Sequence, residues 1–136
     1  MILALDSEAI SALGGSDSVR KQRVRRALQI AARLNRDALV PTVVLAELYR
    51  GRGRNQLVDA CLARERGTLS CRDTDRTLAR IVGGILASAS AGSEDLADAH
   101  VVALAVEKGG GLVLTGDPDD LQRLAAAYRD VVVEPI

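Results

Sequence analysis

The sequence predicts an α/β protein, a three-layer α/β/α sandwich around a central parallel sheet of about five strands. Three observations lead there. Short, wholly apolar runs such as ILAL (2–5) and LVLT (112–115) lack polar alternation, so they read as strands buried on both faces. Longer segments with helical spacing separate these runs, and strand-like and helix-like segments alternate along the chain. The 136 residues suit a single domain, 1–136, with one real core.

The first strand, 2–5, runs directly into SEAISAL, a short helix that Gly14-Gly15 ends. A long helix spans about 18–35, with Asp17 or Ser18 as its cap. Its apolar positions Val24, Ala27, Leu28, Ala31 and Leu34 keep helical spacing, and its other face is rich in Arg. Residues 38–40 form a strand stopped by Pro41. Thr42 is placed to cap a helix through Tyr49, which Gly51 ends. A helix over about 54–65 and a weak strand, TLSC at 68–71, come next. Helix 74–88 is expected to break or bend at Gly83-Gly84. A helix over about 94–108 starts at Gly92-Ser93 and ends at Gly109-Gly110-Gly111. Strand 112–115, helix 118–127 and strand 131–134 complete the chain, and Pro135 closes the last strand.

Composition narrows the function classes. Nearly half the residues are apolar and 26% are charged, a globular balance rather than a disordered one. There is no Phe or Trp, so the core must be aliphatic. The formal net charge is zero, but residues 1–80 carry 15 Lys or Arg against 9 Asp or Glu, and residues 81–136 carry 3 against 9. A neutral total thus hides a basic half and an acidic half, either solvated helix faces or a basic rim around an acidic centre. Cys61 and Cys71 have no zinc or CxxC spacing and read as free thiols. Neither a signal-peptide pattern nor a membrane-length apolar run occurs, so a cytoplasmic protein is expected.

Four acids interrupt apolar runs. Asp6 and Asp117 end strands, and Glu47 and Asp98 lie on helices beside them. Parallel sheets bind ligands outside the carboxyl ends of their strands, where strand order reverses. Two carboxylates ~5 Å apart at an effective dielectric of ~20 repel by about 3 kcal/mol. A hard dication removes that penalty, and all-oxygen donors suit Mg2+ or Mn2+ rather than zinc. Each acid also has a plainer explanation. Asp6 caps the helix after it, Glu47 pairs with Arg50, Asp98 pairs with an Arg, or Asp117 caps the helix that Pro118 begins. The sole histidine, His100, is turned away from the face of Asp98 and reads as structural.

In this order and spacing, LALDSEAISAL, VPTVVLAELYRG, DLADAHVVALAVEKGGGLVLTGDPDDL and VVVEPI resemble a PIN-domain ribonuclease, most closely a VapC-type toxin of a toxin–antitoxin pair. The likeness covers essentially the whole chain and implies a PIN-like fold with a Rossmann-like sheet. It implies Mg2+- or Mn2+-dependent endonucleolytic cleavage of RNA, leaving 5′-phosphate and 3′-hydroxyl ends. Asp6, Asp98 and Asp117 would hold the metal, and Glu47 would orient or deprotonate the attacking water or ligate a second ion. Ser7 and Thr115 match hydroxyl positions of the family, and Asp95 would stand behind Asp98. Asp119 and Asp120 crowd the last motif, with Asp120 the better candidate. Glu8 departs from the small polar residue usual at its position.

Arg20, Lys21, Arg23, Arg25, Arg26, Arg50, Arg52 and Arg54 are candidates for the RNA backbone, or else a solvated helix face. With so few aromatics, base stacking cannot dominate recognition. The likeness further implies a homodimer, inhibited by an antitoxin whose tail lies over the acids. The apolar faces of helices 18–35 and 42–65 are the expected antitoxin groove. Two other readings of an acidic pocket stay open: a metal-dependent phosphatase, and a non-catalytic receiver-like signalling domain. The phosphatase wants DxD after the first strand, where this chain has Asp6-Ser7-Glu8. The receiver wants a Lys after the fifth strand, and VVVEPI supplies none. A TOPRIM-like nuclease wants a Glu where the first strand ends on Asp6.

Overall fold

A computed structural model describes residues 1–136. The strands are β1 (Ile2–Leu5), β2 (Ala38–Pro41), β3 (Leu69–Arg72), β4 (Gly111–Thr115) and β5 (Val131–Pro135). The helices are α1 (Ser7–Gly14), α2 (Val19–Arg33), α3 (Thr42–Leu48), α4 (Arg52–Arg64), α5 (Arg76–Ser88), α6 (Leu96–Glu107) and α7 (Pro118–Ala125). One 3-10 turn, Ser93–Asp95, leads into α6.

All five strands are parallel, in the order β3-β2-β1-β4-β5. The chain steps outward from β1 to β2 to β3, then crosses back to place β4 on the other side of β1. Strand order therefore reverses between β1 and β4, which pair from Ile2↔Gly111 to Leu5↔Leu114. Helices α2 and α4 pack against α1, and α5 and α7 against α6, while α3 touches both α1 and α6. The right-handed rule for parallel crossovers puts the two groups on opposite faces of the sheet. This is the expected three-layer sandwich. The reversal also sets Asp6, just after β1, beside Gly116 and Asp117, just after β4.

The core is aliphatic, as the composition requires. Leu5, Ile10, Leu13, Leu78, Ile85, Leu104, Leu121 and Leu124 are fully buried. Each such side chain contributes roughly 1.5–3 kcal/mol relative to exposure. Helix α6 is buried without interruption from Ala99 to Ala105, as befits a helix apolar all round.

Two local expectations are corrected. Helix α5 runs unbroken through Gly83 and Gly84. Two glycines cost about 1 kcal/mol each against alanine, but the flanking Val82 and Ile85 are buried and hold the helix to its neighbours. Thr42 does not cap α3. The cap position is Pro41, with no side-chain hydrogen bond, and the Thr42 hydroxyl donates instead to the Arg72 carbonyl across to β3. Elsewhere Ser18 caps α2 through the Lys21 N–H, and Asp75 caps α5 through the Leu78 N–H.

The triple glycine has a steric reason. Gly109 and Gly110 have φ of +79° and +128°, which side chains avoid. A Cβ on Gly110 would also stand 2.7 Å from the Asp130 carbonyl oxygen. The turn thus lets α6 feed directly into β4.

Candidate active site

The site begins with Asp6. Its backbone is extended, so the chain leaves β1 and turns into α1 at this residue. The side chain is 4% exposed. Oδ1 accepts the Ala9 N–H at 2.8 Å, and Oδ2 accepts the Gly116 N–H at 3.2 Å. Asp6 is thus a helix cap and a clamp between β1 and β4 at once. These bonds leave the carboxylate with lone-pair capacity for another ligand.

Thr115 joins the two strand-end acids. It is fully buried. Its Oγ1 accepts the Asp117 N–H at 2.8 Å, and its hydroxyl lies near enough to Asp6 to favour that carboxyl's charged form. Burial pushes the Asp6 carboxyl above the usual 3.8; the bonds from Thr115, Ala9 and Gly116 pull it partly back.

Asp98, in the first turn of α6, is the electrostatic centre. Its pKa is raised from 3.8 to about 6. Burial is the largest cause, followed by the charges of Asp6, Glu47, Asp120 and Asp117. Four acids from three segments, the end of β1, α3 and the start of α7, therefore act on one carboxyl. Asp120 is raised too, chiefly by the neighbouring Asp117 carboxyl, through hydrogen bonding and charge.

The plainer structural roles are mostly unfilled. Asp117 occupies the cap position of α7 but makes no capping bond with its side chain. Arg50 donates to the carbonyls of Ala46 and Tyr49, and Glu47 forms no ion pair with it. Asp98 has no cationic partner. Only Asp6 performs the structural task foreseen for it, and it spans to Gly116 as well.

The tightest grouping of acid oxygens is Asp95, Asp98 and Asp120, all within 4.8 Å of one another. It shares Asp98 with the predicted metal set but replaces Asp6 and Asp117. Asp119 is exposed and outside the group, so of the two downstream acids Asp120 is the one near Asp98. Ser7 is half-buried at the start of α1 and forms no side-chain hydrogen bond. His100 is buried, its Nδ1 2.7 Å from the Leu96 carbonyl, and does not join the acids.

The basic candidates do not form one stripe. Arg20 pairs with Glu8 at 2.9 Å, and the pair lies over Gly116, where a Cβ would overlap the Glu8 carboxylate. Lys21 donates to the Gly15 carbonyl. Arg23 and Arg26 line a groove along α2, whereas Arg25 faces Glu65 and Thr68. Arg54 borders a cleft between α1 and α4, and Arg50 folds back on α3. Arg52 opens α4, exposed to solvent.

Sequence reasoning missed two features here. One is Gly116, whose N–H and missing side chain shape the pocket. The other is Arg123, which reaches Asp95 at 3.1 Å and Asp120 at 3.7 Å. The i,i+3 spacing of Asp120 and Arg123 was a usable signal. Nothing in the sequence announced the link to Asp95.

A doubly wound sheet with acids gathered at its reversal point defines a class of α/β proteins with a polar site at the strand ends. The family is more specific. The PIN domain model matches residues 3–127, and the chain belongs to that family. Among solved structures, the chain resembles VapBC2 from Rickettsia felis bound to a DNA fragment from its promoter, at 16% identity. That match covers 99% of this chain and 98% of the other, with a TM-score of 0.68. It also resembles FitAB bound to an IR36 DNA fragment, at 23% identity, 99% and 94% coverage and a TM-score of 0.64. These likenesses are of fold. A search of curated proteins finds no match.

Proposed function

We propose that this PIN-domain protein is a Mg2+- or Mn2+-dependent endoribonuclease, the toxin of a VapBC-type toxin–antitoxin pair. One observation carries the reading: Asp98 is surrounded by the charges of Asp6, Glu47, Asp117 and Asp120 and has no ion-pair partner. Such a group favours a hard cation, because carboxylates that repel one another gain more from a dication than from separation. The donors also fit one. They are oxygen only, and Mg2+ needs few protein ligands because it keeps several waters.

Asp6, Asp98 and Asp117 are the residues proposed to hold the ion, directly or through water. When bound, the ion supplies positive charge that acidifies water and offsets the negative charge growing on the phosphodiester. Glu47 is exposed on α3, and its charge reaches Asp98. There it orients the attacking water and takes its proton. Water attacks phosphorus, the bond to O3′ breaks, and a proton reaches that oxygen, giving 5′-phosphate and 3′-hydroxyl ends. Thr115 keeps Asp6 and Asp117 in fixed relation during these steps. Arg20, held by Glu8 over Gly116, is the basic candidate nearest the acids and is proposed to meet the RNA backbone.

The partners proposed are an RNA substrate, a second copy of the chain and an antitoxin in the same cytoplasmic compartment. A basic antitoxin side chain would enter the acid pocket by charge complementarity. Two apolar grooves support a docking role. One lies between α1 and α4, lined by Ile10, Leu48, Leu57 and Val58. The other runs along α2 past Ile30, Leu34 and Leu112, flanked by Arg23 and Arg26. No helix is long and apolar enough to cross a membrane.

The test is digestion of total RNA with the purified chain in Mn2+, in EDTA, and with Asp98→Asn, followed by mapping of 5′ ends. The proposal requires new 5′-phosphate ends in the first arm alone. Equal cleavage in all three arms, or none in any, counts against it.

A further inference from the structure

The acids at the strand ends are not all equally bare. Asp98 faces its neighbours without a cation, but Asp95 and Asp120, behind it, share the guanidinium of Arg123. The distances are 3.1 Å to Asp95 Oδ2 and 3.7 Å to Asp120 Oδ1, both from Nη2. Asp95 is 8% exposed, so its charge is held away from water and depends on that partner. Asp95, Asp98 and Asp120 nevertheless bring oxygens within 4.8 Å of one another, close enough to chelate an ion. The protein has filled one flank of its acid cluster from its own chain.

We infer that Arg123 is a positioning residue that acts as a resident counter-charge: it closes the Asp95–Asp98–Asp120 flank to metal and confines the dication to the side of Asp98 facing Asp6 and Asp117. A fixed guanidinium beside two of three oxygen donors repels a second dication, and its hydrogen bond to Asp95 Oδ2 takes up a lone pair that would bind one. Arg is suited to this because it stays charged at all working pH values. The chain thereby settles how many ions its pocket takes. The inference rests on the reading that Asp6, Asp98 and Asp117 hold a dication.

Mn2+ binding to the purified chain, by titration calorimetry and by electron paramagnetic resonance, tests it without reference to cleavage. Wild type should take up one ion. Arg123→Gln should take up two, with the paired-ion spectrum that closely spaced Mn2+ gives, and should bind the first at least about tenfold more tightly. Arg123→Gln combined with Asp95→Asn should return to one. Arg123 is nearly half exposed, so the single variant is expected to fold; circular dichroism confirms that before titration. One ion in both wild type and Arg123→Gln, at equal affinity, overturns this inference and leaves the metal-site reading standing. Two ions in wild type also overturns it. No binding to wild type fails the metal-site reading, and this inference with it.

Discussion

Acids gather at two places near strand ends, and they behave in opposite ways. Beside β3, Arg72 collects Glu107 at 2.8 Å and Asp75 at 3.2 Å. There the cap bond from Leu78 and the Arg72 guanidinium hold the Asp75 carboxyl below its usual value. Between β1 and β4, burial and like charges push Asp6 and Asp98 above it. The residue types match. What differs is whether the chain supplies a cation: the carboxylates beside β3 have their counter-ion built in, whereas Asp98 has none, which is why a dication is proposed there. Arg123, beside Asp95 and Asp120, brings a built-in counter-ion next to the unpaired Asp98.

That contrast is broken most directly by neutralising one acid at each place. Asp6→Asn and Asp98→Asn should each lower RNA cleavage by about 10²–10³ or more, since each removes a charge opposite the reacting phosphate. Initial rates on a labelled RNA measure this, and full activity in either variant would contradict the assignment. At the β3 cluster, Arg72→Gln should leave the proposed RNA cleavage unchanged but destabilise the fold by about 1–2 kcal/mol, because Glu107 loses the partner of a partly buried charge. Urea denaturation would show it as a lower midpoint with an unchanged slope.

Asp98→Asn should have the reverse effect on stability. The folded-state pKa is raised to about 6, so the native state binds this proton more tightly than the unfolded chain does. The resulting stability is full below the unfolded value near 3.8 and is lost as pH rises through 6. At pH 7.5 the variant should therefore be more stable than wild type by about 1–2 kcal/mol, after allowance for solvent screening. That corresponds to a rise of about 3–6 °C in Tm. The advantage should shrink between pH 7 and pH 4. An unchanged difference across that range would mean that desolvation and repulsion at Asp98 are not the cause.

The smallest effect expected is at Glu8. Glu8→Gln frees Arg20 from a pair that is half exposed, which should change stability little. It should raise the KM for RNA more than it lowers kcat, if the pair holds Arg20 for the backbone.

The sequence showed the sheet and the acids because both leave local marks. An apolar run cut by Asp6 or Asp117 is visible in a window of six residues, and so is an acid inside the apolar stretches around Glu47 and Asp98. What it hid was set by distance along the chain. Glu8 and Arg20 are 12 residues apart, and Asp95 and Arg123 are 28 apart. Neither pair has a spacing that singles it out. The α5 break failed because glycine propensity is a local cost and the burial of Val82 and Ile85 is a tertiary gain. Thr42 failed as a cap because its hydroxyl found a carbonyl on β3, which no local rule foresees. The basic set looked like one surface in the sequence but divides among faces of α2, α3 and α4, since neighbouring positions on a helix point apart.

The central claim is that the β1/β4 acids are held together for a dication. Melting wild type, Asp6→Asn and Asp98→Asn across a Mn2+ titration tests it most directly, because an ion that binds only the folded state must raise its stability. The expected result is a Tm that climbs by several degrees and saturates in wild type, and stays flat in both variants. A wild-type Tm indifferent to millimolar Mn2+, or equal rises in all three proteins, would contradict it.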